Sequence, residues 1–518
     1  MSKFGTYFDK QFLELEPKVI DIDSLLTEKM SLIIGDFYGI QKFIFDRLST
    51  KNASKVLRAK SAYILIMTEY IAKYICHKLE IDEKYIISCN AGKFEIIAPL
   101  ENVDLDEIQA DIDRFFIKNF YALSGVTLCA TACTKEEFYD TKKYRALREK
   151  IALALEEKKF QKFSLSHKKP TLNYDDNIDN QSLCKICNIR KTASSGKNCE
   201  ICDTFIELGW LLANDSKEQL ISSKKVKIDF GDGFETKIKL TKKIKSYLYY
   251  IDDKPADFEA LSKKSCSDRD SGIEALGILK ADVDGMGKYL EESDVTQSFA
   301  NFDLFSKSID NFFSLYVPKL MKEQYPHTYT VFAGGDDLFL VGAWDEIIDL
   351  AKKIQEEFKT FAKGKLTISF SIAIAKPSTP ISYLAEHSEQ LLEKAKEYKT
   401  TLNNQEVIKD AIHLFGETAN WQNYTNVYNN LYPKLKKIKE QDMKTVLLYR
   451  LLEFCRMKKE INKDIKNALW RSKLNYMFHR NVSKTHQGLI EPLANSIENY
   501  PKETKMVLSE YIYKRREV

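Results

Sequence analysis

The chain has 518 residues, enough for roughly three or four domains. A hydrophobic fraction of 44% with 30% charged residues excludes a disordered chain, and no apolar run reaches the ~18–20 residues of a membrane span. The net charge of +4 is unevenly spread: residues 431–518 hold 20 Lys+Arg against 10 Asp+Glu, a balance that fits either a polyanion partner, RNA first, or a helical bundle with solvated lysines. The opening MSKFGTYFDK lacks the apolar core of a signal peptide, so a cytoplasmic protein with reduced cysteines is expected.

A short segment, 1–30, precedes the first predicted strand, SLIIGD (31–36), which ends at Asp36. Helical spacing of apolar residues follows over 55–79. KYIISCNAGKFEIIAPL (84–100) reads as two strands around a turn at Asn90-Ala91-Gly92, then come a helix over 105–120 and a strand over 125–133. A helix at 143–162 and a lysine-rich linker, 163–180, lead to CKIC (184–187) and CEIC (199–202). Two C-x2-C pairs, Cys184/Cys187 and Cys199/Cys202, are the spacing of two knuckles that deliver four thiolates to one Zn²⁺; four protein ligands leave no open position, so the site is expected to be structural. Residues 224–252 alternate as strands do.

The order strand, helix, hairpin, helix, strand then recurs: EALGILKADVDGMG (274–287), a helix over 298–323, the hairpin YTVFAGGDDLFLVGAW (329–344), a helix over 345–363, LTISFSIAIAK (366–376), and a closing helix over 381–398. The plan points to a duplicated unit. From about residue 410 the pattern is helical. The second hairpin is apolar on both flanks, as in the middle of a covered sheet. Its turn, Gly334-Gly335, would set Asp336 and Asp337 at one sheet end, beside Asp282 at the end of the preceding strand. Three carboxylates in so small a volume call for cations, and oxygen-only ligands suit Mg²⁺ or Mn²⁺. In DVDGMGK, Gly285, Met286 and Gly287 stand before a helix, where backbone N–H groups meet phosphate; Lys288 and Lys396 could neutralise a triphosphate. Gly39, Ile40 and Gln41 offer the same kind of helix entry in the first unit, with Tyr38 beside them.

ADVDG, FAGGDDLFLVG, SFSIAIAK and LLEKAKE together resemble the palm domain of nucleotide cyclases and polymerases. GDFYGIQKFIF with AGKFEIIAP is similar to the degenerate first palm of the large polymerase-like subunit of type III CRISPR effector complexes, nearest the Csm type. The resemblance implies an α+β chain: a segment 1–30, a first ferredoxin-like palm at 31–162, a linker and zinc module at 163–270, a catalytic palm at 271–405 and an all-α domain at 406–518. It implies Asp282, Asp336 and Asp337 as metal-ligand positions. It implies synthesis of 3′–5′ linked, cyclic oligoadenylates from ATP when target RNA is captured. The implied partners are guide and target RNA and other effector subunits, among them a small helical subunit and a backbone subunit. The first palm, with Lys93 in its hairpin, would take the acceptor nucleotide without metals of its own. About 30 residues precede SLIIGD and no His-Asp dipeptide occurs, so an HD nuclease is not expected. Three rival readings are a dinucleotide cyclase, a purely structural large subunit, and a variant joining AMP to another acceptor such as S-adenosylmethionine.

Overall fold

The computed structural model describes residues 3–45, 48, 53–90, 92–161, 183–192, 197–213, 219–245, 247–251, 254–266, 271–402, 405–437 and 444–516; the linker at 163–180 and Ala91 of the first hairpin lie outside them. The chain is mixed α+β. Among the described residues no helix is long and apolar enough to cross a membrane.

Helix α1 (Phe4–Tyr7) and a tight turn, Lys10–Leu15, send three aromatics far along the chain. Phe8 stacks on Phe361 at 4.4 Å, and Phe12 meets the same ring edge-on at 5.4 Å. Strand β1 (Lys29–Tyr38) is buried on both faces over most of its length. It ends at Gly39, whose φ is +72° and where a Cβ would sit 2.6 Å from the Leu123 carbonyl oxygen. Only glycine fits there, and α2 (Ile40–Phe45) starts at once. Helix α3 (Ala53–Lys78) is apolar around most of its circumference, as a helix enclosed on several sides must be. Next come β2 (Ile86–Asn90), β3 (Lys93–Ala98), α4 (Asp106–Phe120), β4 (Gly125–Thr134), α5 (Lys135–Tyr139) and α6 (Thr141–Phe160), the last capped by the Asp140 carboxylate on Lys143 N–H. The first sheet runs β2-β3-β1-β4, antiparallel throughout.

Helix α7 (Glu200–Ala213) carries the second cysteine pair into the structure. The alternation over 224–252 makes less strand than expected. Strand β5 (Gln219–Ser222) pairs with β6 (Lys237–Leu240), α8 (Lys242–Lys245) follows, and β7 (Tyr250–Ile251) pairs with β8 (Lys254–Pro255) before α9 (Phe258–Ser262). Between β5 and β6 the Asp229 and Asp232 side chains accept from Gly231 N and Phe234 N, bending the backbone into turns instead of a ladder. Phe230 and Phe234 turn inward onto Tyr70 and Tyr74 of α3.

The second sheet repeats the first and extends it. Strand β9 (Leu276–Asp284) leads to α10 (Met286–Glu292) and α11 (Phe299–Asn311). A π-turn, Phe312–Tyr316, joins α11 to α12 (Val317–Gln324), with Val317 N–H reaching Phe312 O five residues back. Strands β10 (Thr328–Gly334) and β11 (Asp337–Ala343) form the hairpin. Helix α13 (Trp344–Phe361) buries Trp344, Ile347, Ile348, Ala351, Ile354 and Phe358 at helical spacing. Then follow β12 (Thr367–Ala375), α14 (Ile381–Lys396), the hairpin β13 (Lys399–Leu402) with β14 (Gln405–Ile408), and β15 (Ala411–Leu414) with β16 (Glu417–Asn420). The order is β10-β11-β9-β12-β15-β16, with β12 and β15 parallel. Two expectations change here. The hairpin is not central: β10 is the edge, and its Thr330 N–H is met by Tyr247 O, so a covering segment explains its apolar flanks. The region after residue 410 is not all helical, because β15 and β16 complete the sheet before the helices begin.

Helices α15 (Trp421–Lys436), α16 (Thr445–Lys459), α17 (Trp470–Asn481), α18 (Ile490–Asn499) and α19 (Pro501–Arg515) form the C-terminal region. It docks through a buried charge. Glu510 on α19 accepts from Lys514 at 2.7 Å and from Lys352 on α13 at 3.2 Å, beside the Tyr424 and Tyr428 hydroxyls of α15. Lys459 and Lys505 likewise flank the buried Glu417. Part of the positive excess of this region is therefore consumed internally.

Candidate functional site

The hairpin turn is Gly335-Asp336. Gly335 has φ +63°, and a Cβ there would face open space, so its backbone conformation rather than crowding calls for glycine. Gly334 is the last residue of β10. Asp337 opens β11 and lies in register with Asp282 of β9. Val283 N–H donates to Asp336 O at 3.2 Å, tying the turn to the same strand. Gly335 N–H donates to the Asp310 carboxylate at 3.0 Å.

The three acids do not gather as tightly as the sequence suggests. Among the described residues, the cysteine quartet is the set of three or more candidate ligands whose donor atoms all lie within 4.8 Å of one another. Like charges repel, and each carboxylate takes a different surrounding. Asp282 ion-pairs with Lys396 of α14. Asp337 accepts from Gln41 of α2 at 2.9 Å, and its other oxygen, Oδ1, is buried without a hydrogen-bond partner. Asp336 lines a cleft. Burial, with a smaller push from Asp336 and Asp337, lifts Asp282 to about 6 against the pull of Lys396. Burial also raises Asp337, and it lowers Lys280, which faces both acids and pairs with Glu389. An oxygen-only donor set with one orphaned buried oxygen fits a hard divalent cation.

The cleft has a volume of about 900 Å³ and is built by both units. Gly334 to Asp337, Met286 and Asp310 form one wall, and Tyr38, Gly39, Ile40, Gln41, Asn90 and Lys93 form the other. A larger cavity, about 1180 Å³, opens beside Trp210 and Arg516 and contains none of the expected site residues. Gln41, expected to meet a nucleotide, is instead bonded to Asp337. Lys288 does not line the cleft; its side chain is 74% exposed and pairs with Glu292 at 3.6 Å. Gly285 and Gly287 face open space. Tyr38 lies across Gly125, the residue it pairs with in the ladder, so closely that a Cβ on Gly125 would stand 2.4 Å from its hydroxyl. Burial and the nearby Asp113 raise Tyr38 to about 12.

The two units match residue by residue. Asp36 in β1 stands where Asp282 stands in β9, and its ladder partner is Lys93 where that of Asp282 is Asp337. Asp36 is held by Lys159 of α6 at 2.7 Å, as Asp282 is held by Lys396. Asp36 does not line the cleft, whereas Lys93 does.

Sequence reading missed Asp310, Arg148 and Glu95. Arg148 is bonded to both Glu95 oxygens at 2.8 Å and lies 4.1 Å over the Phe302 ring in the cleft. Asp310 left one signal, an acid amid the apolar run Ile309, Phe312, Phe313.

The four cysteines are buried together, with Cys187 and Cys199 sulfurs 4.0 Å apart. Backbone N–H groups of Ile186 and Cys199 point at Cys184 Sγ at 3.4 and 3.2 Å, and the Arg190 guanidinium approaches Cys199 Sγ. Such donors stabilise thiolates, so the quartet fits a tetrahedral metal. Phe205 of α7 packs edge-on against Phe43 of α2 and Tyr63 of α3.

The family model for the second palm domain of Cas10/Cmr2 matches residues 275–404, and that for Csm1 subunit domain B matches residues 29–175. The chain is 25% identical over 530 residues to the Cas10/Csm1 (subtype III-A) single-strand-specific deoxyribonuclease of Methanocaldococcus jannaschii, covering 84% of this chain and 64% of that protein. It is 26% identical over 470 residues to the same-named protein of Enterococcus italicus, covering 83% and 60%. The chain thus spans under two thirds of the length of these relatives. The fold is similar to that of a chain of the apo Csm1–Csm4 cassette, with TM-score 0.69 at 20% identity over 94% of this chain and 70% of that one. The cassette in complex with cA3 gives 0.68 at 20% identity over 96% and 71%, and that in complex with one ATP gives 0.68 at 21% identity over 95% and 71%. Over residues 29–175 and 275–404, and in overall fold, the chain is thus similar to the Cas10/Csm1 proteins of subtype III-A.

Proposed function

We propose that this cleft joins ATP into 3′–5′ linked oligoadenylates, including cyclic ones, as the large subunit of a type III CRISPR effector complex activated by target RNA. The observation that carries the reading is that Asp336 and Asp337 line a cleft whose opposite wall comes from a second, equivalent unit, with Asp282 paired in register to Asp337 behind them. The Csm1–Csm4 cassettes in complex with ATP, cA3 and cA4 support it.

In this reading both units are palms and divide one reaction. Residues 271–405 hold the donor ATP, and residues 31–162 hold the acceptor. Asp282, Asp336 and Asp337 would hold Mg²⁺ or Mn²⁺, which supplies Lewis-acid polarisation of the donor α-phosphate and offsets charge on the attacking and leaving oxygens. Lys396 and Lys280 bring compensating positive charge to the same sheet end. Lys93 replaces a carboxylate in the first unit, so that unit binds without a cation of its own. Gly285 to Gly287 leave space and N–H groups for phosphate, with Lys288 serving only through bulk charge. Tyr38 shapes the acceptor half, and its size keeps a different acceptor as the second reading. Cys184, Cys187, Cys199 and Cys202 would hold one structural Zn²⁺ between the palms. Guide and target RNA and the neighbouring subunits complete the assembly.

Mass spectrometry of products from the assembled complex, given ATP, Mg²⁺ or Mn²⁺ and matching RNA, tests the reading. Oligoadenylates are expected, and the Asp336→Ala/Asp337→Ala double variant should assemble yet make none. Undiminished product from that variant removes these acids from the chemistry. A product carrying AMP on a different acceptor establishes the second reading.

A further inference from the structure

Asp310 belongs to neither the strand nor the hairpin that carries the acids. It sits on the last turn of α11, immediately before the π-turn, and is 4% exposed. One oxygen accepts from Gly335 N–H at 3.0 Å, and the other pairs with Lys243 of α8. Asp310 also lines the cleft. A two-residue turn leaves the Gly335 N–H without a ladder partner, and an orphaned buried N–H is costly. A carboxylate is a strong acceptor for it. A bare carboxylate here would add a fourth negative charge beside Asp336 and Asp337. Lys243 removes that cost by neutralising it, and Lys243 enters from the segment after β6, outside both sheets.

The geometry points to Asp310, neutralised by Lys243, as a positioning residue that fixes the Gly335-Asp336 turn and so sets where Asp336 faces the cleft. This rests on the nucleotidyl-transfer reading above for its catalytic meaning. The geometric claim stands by itself. Asp310 touches neither phosphate nor metal in this role: it acts through the backbone of the turn. The coupling also runs from the module between the two sheets into the hairpin, a route that does not pass through β9.

Hydrogen–deuterium exchange of the full chain, read by mass spectrometry on peptides covering 331–340, tests the positioning without any activity. Asp310→Ala should speed exchange at the turn by about tenfold or more, while peptides covering β4 stay unchanged. Asp310→Asn keeps an accepting oxygen and should retain most of the protection. Lys243→Met should lose protection at the turn, and Lys243→Arg should restore it. In the assembled complex, Asp310→Ala should lower kcat for ATP by about tenfold or more with KM within about twofold, and Asp310→Asn should recover most of that loss. Unchanged exchange at 331–340 in Asp310→Ala overturns the proposal. So does a rise spread equally over β4, which would mark a merely structural acid. If the wild-type complex makes no nucleotide product, the functional reading fails, and the exchange result still decides the role of Asp310.

Discussion

Gln41 reaches across the cleft from the first unit to the Asp337 carboxylate of the second. A hydrogen bond to a charged group contributes about 1.5–3 kcal/mol in favourable cases, and this one orients an acid whose other oxygen has no partner. Gln41→Ala should therefore reduce ATP turnover by about tenfold, while the melting temperature moves by no more than a few degrees, because the glutamine is only partly buried. Parallel turnover and melting measurements check this; a large melting shift with intact turnover would make Gln41 a packing residue. That the acids share one sheet end was legible from the combination of Gly-Gly-Asp-Asp with the strand-helix-hairpin order, since an Asp-Asp pair alone is as readily a solvated turn. Their true partners were not. Lys396 and Gln41 meet them only through long-range folding, and nothing in DLFLVG indicates that Asp337 will be bonded from a residue 296 positions away.

The cysteine module shows how one element supports another. Cys199 and Cys202 enter at the start of α7, and Phe205, one turn further on, packs against Phe43 of the helix that carries Gln41. Replacing Cys184 and Cys187 with serine should abolish a one-zinc-per-chain stoichiometry in elemental analysis. It should also lower thermal stability before it lowers turnover, since removing a structural metal costs folding free energy first. Finding no zinc in the wild-type protein would overturn the assignment. This element was legible from spacing alone. Strands β15 and β16 were not: each has four residues, and AIHL and ETAN carry no period long enough to register. Their place is decided by the open edge of β12, a tertiary cause. The turns at Asp229 and Asp232 were missed for the reverse reason, since local side-chain bonds overrode an alternating pattern.

Across the whole molecule, stability carries a pH signature in the extended sheet. His413 on β15 is buried and bonded to Thr418, and burial, with Lys394 nearby, holds it down at about 4. A histidine depressed in the folded state binds its proton more readily when unfolded. Its contribution is therefore present above the ordinary histidine value near 6.5 and is lost as pH falls from there toward 4. At pH 5 the loss is on the order of 2 kcal/mol. Buried acids such as Asp410, lifted to about 6, act with the opposite sign, so the comparison must be between wild type and His413→Gln. The stability difference between them should shrink between pH 7 and pH 5; a constant difference would place His413 outside the linkage. The duplicated plan itself was readable from the order of elements. The residue-level match of Asp36–Lys93 to Asp282–Asp337 needed the registers. Phe8 is made some 350 residues before Phe361, the ring on which it stacks. At about 5–20 residues per second, Phe8 waits roughly 20–70 s for its partner. The second unit therefore completes this part of its core only by recapturing a segment made some 350 residues earlier. Until then only earlier partners, such as Phe305 for Phe8 and Phe312 for Phe12, can cover these rings, so slower synthesis lengthens the time they stay partly open to other apolar surfaces.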